Sequence, residues 1–548
     1  MACMRRTGGK GRPRAATAGM VAALVALPVP VAAQQREARA GSYGVSIILP
    51  DTGNVLTATV DVRLAGDQEE ADVLRLDLVG LTVDSIYAQG IDSRGPRIPV
   101  DYDGRILRVP LDHDTHLFRR VRIHYHGVPR DGLVWRNNAH GHRTVFADNW
   151  PERARYWLPT VDEPGKKAAV GFIVDAPTGW KVVANGAPLD HPDAGRGIGF
   201  WQWSEDHPIP TYTMVLGAAD FSVSRHRPTR SGIPIEVWAY PEDSAYADSV
   251  PFRRATEIVE VMERLVGPFP YEKLAHVESS TRFGGMENAS AIFYAEKPYV
   301  ERRMGEGVVR HETAHQWFGD AVTERDWHHL WLSEGFASYF DLVIGATLDG
   351  DSVLRTGMGA NAESYFRSNV VDRAIIDTAE HDLMKLLNAN NYQKGSWVLH
   401  MLRGLVGDSA FFRGIRDYYG GRRDSTALSA DFERVMEKAS KQDLDWFFRQ
   451  WLYQPGYPQL ECSWSYDSGA KRVTLKLTQA QPASWGVFRL PRVAVDFPGF
   501  DGSVTRRRVS VVGREMITTL DLPGAPADVR IDPDGALLLR ANVRHRSG

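Results

Sequence analysis

The chain has 548 residues, 43% hydrophobic and 24% charged, with a formal charge of −3. That length exceeds a single hydrophobic core, and the near-neutral balance gives no electrostatic reason to expect nucleic acid or an anionic membrane surface as partner. Only two cysteines are present, Cys3 and Cys462, which excludes a disulfide framework as the source of stability.

Residues 1–33 stand apart. Arg5, Arg6, Lys10, Arg12 and Arg14 form a basic stretch without an acid, Ala15 to Leu27 is apolar, and Val31-Ala32-Ala33 supplies small residues before Gln34. This layout predicts a secretory signal peptide and a periplasmic or secreted protein. Pro28 and Pro30 disfavour the alternative, an uncleaved membrane anchor, and no stable membrane partner is expected. Cleavage takes the formal charge from −3 to −8 by removing the five basic residues, and leaves Cys462 as the lone cysteine.

Residues 34–227 read as a β-rich domain. Alternating runs such as Val55 to Val60 and Val121 to Tyr125 are separated by Gly, Pro and Asp turns. From residue 228 the texture becomes α/β and stays so to 456. Within 253–266, Ala255, Ile258, Val259, Met262, Leu265 and Val266 recur at helical spacing, and Gly267-Pro268 stops the helix. A strand-like run from Leu274 meets Gly284-Gly285 and resumes at Ala291 to Tyr294. A glycine pair there marks a bulge or a place where another backbone comes close. Phe336, Phe340, Val343 and Ile344 form an apolar helical face, and Pro455-Gly456-Tyr457-Pro458 closes the helical region. Residues 457–548 are a small β domain, with strands expected at 473–478 and 508–512.

The chemistry concentrates in residues 308–340. His311, Glu312 and His315 form an H-E-x-x-H motif, and Glu334 follows nineteen positions after His315. On a helix, positions i and i+4 share a face, so the two imidazoles can hold two corners of a zinc tetrahedron while a carboxylate supplies a third. Glu312, one residue round, can then serve as general base towards water. The neighbouring His328 and His329 diverge by about 100° on a helix and cannot both face one metal; we read them as packing or surface histidines.

Further motifs surround this core: GGMEN at 284–288, YQKG at 392–395, PTVDEP at 159–164 and WLYQPGYP at 451–458. With HETAHQWFGD (311–320) and WLSEGFASYF (331–340), they resemble the M1 family of zinc aminopeptidases, over most of residues 42–540. The resemblance implies a multidomain α+β protein: a β-rich N-terminal domain, a thermolysin-like α/β catalytic domain and a small C-terminal β-sandwich, in a short form without the large helical C-terminal domain of many members. It implies one Zn²⁺ per chain held by His311, His315 and Glu334, with Glu312 as general base and Tyr392 as donor to the oxyanion. Gly284, Gly285, Met286, Glu287 and Asn288 would bind substrate, with Glu287 pairing with the free α-amine of a peptide. Asp341 is a candidate to orient a ligand histidine.

One position departs from the family pattern. Twelve residues before Asp162, where the family has Gln or Glu as a second contact to the amine, this chain has Trp150. An aromatic wall then replaces a polar partner, unless a local insertion brings Asp148 or Asn149 there. The expected function is hydrolysis of the N-terminal peptide bond. The alternatives are a zinc endopeptidase with the same metal residues, and a catalytically weak peptide-binding protein.

Overall fold

The computed structural model describes residues 36–66, 71–90, 93–111, 120–189 and 198–545. The expected signal peptide lies outside the described residues. No described helix is long and apolar enough to cross a membrane.

The N-terminal region is β-rich. Its largest sheet has eight strands, antiparallel throughout except where the first strand, Ala40–Ile48, runs parallel to Ala168–Pro177. Strand Leu56–Leu64 alternates buried and solvent-facing residues, as its period-two sequence requires when one face covers a core. Smaller sheets of four and three strands complete the region. The expected strand at 121–125 is realised as Arg120–Gly127.

A mixed five-stranded sheet follows, in the order Ser222–Arg225, Ile235–Ala239, Leu274–Ser279, Ala291–Ala295 and Gly285–Met286. The three central strands are parallel and almost wholly buried, because both their faces are covered, and the middle one buries His276 and Glu278 among its apolar residues. The glycine pair at 284–285 is not a bulge within one strand. The chain leaves Leu274–Ser279, and Gly285–Met286 pairs antiparallel with Ala291–Ala295 at the sheet edge.

Helices then dominate to Tyr453. Helix Glu306–His315 packs on helix Trp331–Asp349, whose face of Phe336, Phe340, Val343 and Ile344 is buried. Phe318 anchors that contact, with ring centroids 4.7 Å from Phe336 and 5.2 Å from Phe340. Glu306 sits in the first turn of its helix, where a carboxylate complements the macrodipole, and binds Arg254 and Arg310. Beyond Pro458 the strands pair in two sheets, of four and three strands. Cys462 is buried there as a free thiol.

Candidate active site

His311 and His315 lie one turn apart on helix Glu306–His315, and Glu334 enters from the first turn of helix Trp331–Asp349. The Nε2 atoms of the two histidines are 3.1 Å apart, and each is 3.4 Å from Oε2 of Glu334. A tetrahedral zinc with bonds of about 2.05 Å separates its donor atoms by about 3.3 Å. The triangle therefore has the dimensions of three corners of a zinc site. Oε2 of Glu334 is also buried with no hydrogen-bond partner among the described residues, and a buried carboxylate oxygen without a partner is costly unless a cation meets it. Two imidazoles and one carboxylate are the donor set zinc prefers at a hydrolytic centre, so the residues fit the metal.

Both nitrogens of His315 are accounted for. Its Nδ1 lies 3.1 Å from the carbonyl of Phe318 and 2.9 Å from Oγ of Ser333. Donation from Nδ1 to the carbonyl fixes the tautomer and leaves the Nε2 lone pair for a metal. Gly319 makes this possible. Its φ is +127°, and a Cβ there would stand 2.5 Å from Ser333 Oγ and 3.1 Å from His315 Nδ1. No hydrogen bond joins Asp341 to either histidine among the described residues; its Oδ1 accepts from Arg310 Nε at 2.8 Å. The Arg310 guanidinium, on the same helix as the two ligand histidines, claims that carboxylate instead. Ser333 escaped the sequence reading because a serine beside a glutamate carries no distinguishing pattern.

Glu312 is buried and faces Glu287. Together with His315, their ligand atoms all lie within 4.8 Å of one another. Burial pushes the Glu312 carboxyl up to about 7, with the two histidines pulling it down and Glu287 and Glu334 pushing it up. Burial likewise raises Glu287, opposed first by His315. For Glu334 burial also disfavours the charge, but the two imidazoles outweigh it and hold the carboxyl at about 2. The site thus contains one carboxylate that stays ionised and two whose charge is harder to keep.

The GGMEN segment is tied to this helix through Gln316. Its Nε2 donates to the carbonyl of Glu287 at 2.8 Å and to Oδ2 of Asp320 at 2.8 Å, while its Oε1 accepts from the Ser290 amide at 2.8 Å. Gly285 lies directly against Glu312, where a Cβ would collide with the carboxylate. Met286 and Asn288 are buried beside it, and Gly284 is exposed at the turn. Nδ2 of Asn288 has no hydrogen-bond partner among the described residues.

Tyr392 sits in a wide π-type turn, Asn390–Lys394, that leads into helix Gly395–Val406. Its hydroxyl donates to Oε1 of Glu334 at 2.6 Å, and its ring stacks on His311 at 6.1 Å. Asn390 holds the turn by donating to the carbonyls of Val370, Arg373 and Ala374. Gly335 lets the two helices touch, since a Cβ there would be 2.9 Å from Gly395 Cα. Such π-type turns recur at functional sites.

Trp150 is 3% exposed and packs edge-on against Phe283 at 5.9 Å and Trp327 at 5.5 Å. Tyr212 extends this aromatic group, 5.3 Å from Trp327. Asp148 is taken by Arg153 and Arg282, and Asn149 by Met214 and Trp157. Of the three candidate positions, Trp150 is the one that packs against the residue preceding Gly284. His328 and His329 are held by Asp326 and Ser429, away from the metal triangle.

The profile of the Peptidase family M1 domain matches residues 252–451, and that of the Peptidase M1 N-terminal domain matches residues 55–213. The chain belongs to peptidase family M1. The motifs at 159–164, 284–288, 311–320, 331–340 and 392–395 of this M1 peptidase fall inside matched segments, and WLYQPGYP begins at the last matched residue. Among similar proteins, "Probable aminopeptidase 1" of Sulfurisphaera tokodaii is 26% identical over 335 residues, covering 58% of this chain and 42% of that protein. "Aminopeptidase N" of Haemonchus contortus is 28% identical over 377 residues, covering 62% and 37%. "Leucine aminopeptidase 2" of Aspergillus niger is 28% identical over 339 residues, covering 58% and 53%. The M1 peptidase matches about half or less of the length of these relatives.

Proposed function

We propose that this chain is an exported zinc aminopeptidase that releases the N-terminal residue of peptides with a free α-amine. His311, His315 and Glu334 would hold one zinc ion, which supplies Lewis acidity to a water and to the scissile carbonyl. Glu312 accepts the water proton and returns it to the departing amine. Tyr392 releases Glu334 and donates to the oxyanion that develops on the attacked carbonyl. Gly285–Met286, at the edge of the five-stranded sheet, offers backbone groups to an extended peptide, as in strand addition.

The observation that carries this reading is the nearness of Glu287 to Glu312 and His315. An α-nitrogen lies only about 2.5 Å from the carbonyl carbon of its own residue, from the standard N–Cα and Cα–C bonds. An amine paired with Glu287 thus brings the first peptide bond, and no later one, to Glu312. This favours an aminopeptidase over an endopeptidase with the same metal residues. Trp150, Phe283 and Trp327 would wall the pocket for the first side chain. The organisation we propose has domains at 34–227, 228–456 and 457–548, the last a β-sandwich built from its two sheets.

A panel of aminoacyl-arylamides, assayed with and without a chelator, tests the reading. Hydrolysis of free-amine substrates should vanish with chelator or with Glu312→Gln and return when zinc is added back to the wild type. Equal cleavage of N-acetylated peptides would sink the role of Glu287, and undiminished activity of Glu312→Gln would sink the mechanism.

A further inference from the structure

We propose that Lys167, contributed by the N-terminal region, is a positioning residue for the metal ligand His315. The inference rests on the zinc site of the functional reading above. Lys167 immediately precedes strand Ala168–Pro177 and reaches across to the loop that follows the H-E-x-x-H helix. Its Nζ donates to the carbonyl of Asp320 at 2.7 Å, to that of Ala321 at 2.8 Å and to that of Ser425 at 3.3 Å. An ammonium has three donors, and all three are spent on backbone carbonyls of the catalytic region. Burial pulls the Lys167 ammonium down to about 7, opposed by Asp424, Asp320 and Glu324, and three acceptors around one nitrogen favour the charged form, whose bonds are roughly twice as strong as neutral ones.

The loop it grips is the one that orients His315. Residues Phe318–Ala321 return the chain from the helix to strand Val322–Glu324, and the Phe318 carbonyl accepts from His315 Nδ1. The turn closes on itself through the Gly319 amide to the Val322 carbonyl and the Asp320 amide to the His315 carbonyl. Asp320 and Ala321 therefore cannot shift without moving Phe318, which lies two and three residues away. Ser425 opens the strand that pairs with Val322–Glu324, so Lys167 fastens the loop and its partner strand at one point. The contact is close over several residues: a Cβ on Gly165 would stand 2.8 Å from the Arg325 carbonyl. Without the ammonium, three carbonyls in this seam lose a donor, although that of Asp320 keeps the Thr323 hydroxyl, and the peptide plane that fixes the imidazole is free to tilt.

Zinc affinity measured on the apo-protein by competition with a chromophoric chelator tests this. Lys167→Met should weaken zinc binding about 10- to 100-fold, the range for losing a group that orients a ligand. Amide exchange at residues 318–322 should quicken in the same variant. Lys167→Arg keeps the charge but not the compact geometry and should fall between wild type and Lys167→Met. A variant that is less stable to denaturant yet binds zinc as wild type does would make Lys167 a docking residue only, and overturns the proposal. If Lys167→Met does not fold, Lys167→Gln and Lys167→Arg are read by the same criterion, and wild-type affinity in whichever folds is decisive. Wild-type protein that takes up no zinc refutes the functional reading instead.

Discussion

Gly285→Ala isolates the demand that the general base places on its surroundings. The added Cβ would stand 2.5 Å from Cδ and 2.7 Å from Cγ of Glu312. Non-bonded carbons are comfortable at about 3.5–4.0 Å, so one partner must retreat by about 1 Å. Glu312 sits on a helix packed against Trp331–Asp349, while Gly285 is held by its pairing with Tyr294, so the Glu312 carboxylate end is the part that yields. A 1 Å misplacement of a reacting group costs on the order of 10²-fold in rate, or about 2.7 kcal/mol at 1.36 kcal/mol per decade. We expect kcat/KM on a leucyl-arylamide to fall by that factor while zinc content stays at the wild-type level. Glu312→Asp shortens the base by one methylene and opens the room that the added methyl group needs. On that background the glycine substitution should cost less than about threefold, a coupling that a double-mutant cycle resolves. Additive effects, or an unaltered kcat/KM in the single variant, would refute the argument that Gly285 exists to clear Glu312.

Three other contacts can be tested one at a time. Tyr392→Phe removes the donor now 2.6 Å from Glu334; kcat should fall about 10²–10³-fold with KM nearly unchanged, as for loss of one oxyanion donor. Ser333→Ala withdraws a contact to His315 Nδ1, and should weaken zinc binding about tenfold while kcat at saturating zinc is retained. Glu306 accepts from Arg254 and Arg310; Glu306→Gln should cost about 1–3 kcal/mol at pH 7, the range for hydrogen bonds to charged groups. Although burial opposes its charge, those arginines depress the Glu306 pKa. Its contribution is therefore present above the unfolded value near 4.5 and lost as pH falls through the lower folded one. Urea titrations of both proteins should converge in acid, and a constant difference down to about pH 3 would contradict the assignment.

Much of the site is legible in the sequence because its geometry is local. His311, Glu312 and His315 are one helical turn, and a helix dictates which way they point. The expected helix at 253–266 and strands at 121–125 and 473–478 appear because one-sided burial imposes a period that composition reveals. The chain's reversal at Gly285 is less legible, because a glycine pair permits several backbone paths and pairing partners choose among them. Asp341 misleads for a related reason. Seven residues after Glu334 places it on a similar helical face, but that spacing says nothing about Arg310, which arrives from another helix. Ser333, Gln316 and Lys167 share the same limit: each acts through a backbone carbonyl or an imidazole that folding alone brings near.

These unpatterned residues explain how a site of this tolerance is held. Metal–ligand distances must be met within about 0.2 Å, yet the three donors come from two helices and stand 3.1–3.4 Å apart. The start of the H-E-x-x-H helix is fixed by Glu306 and Arg310, with Arg254 bridging Glu306 to Asp349 at the end of the Glu334 helix. Its other end is fixed by Gln316, which joins it to the GGMEN segment, and by the loop that Lys167 grips. The first set of ties sets one helix against the other. On the proposed function, the second set would align amine recognition with the general base. Since Lys167 and the Trp150 wall both come from the N-terminal region, that region does more than cover the catalytic one. It packs Trp150 against Phe283 and Trp327 and grips the loop after the H-E-x-x-H helix through Lys167. On the proposed function, a substitution in the β-rich region should therefore alter metal affinity or side-chain preference without touching any residue of the H-E-x-x-H motif.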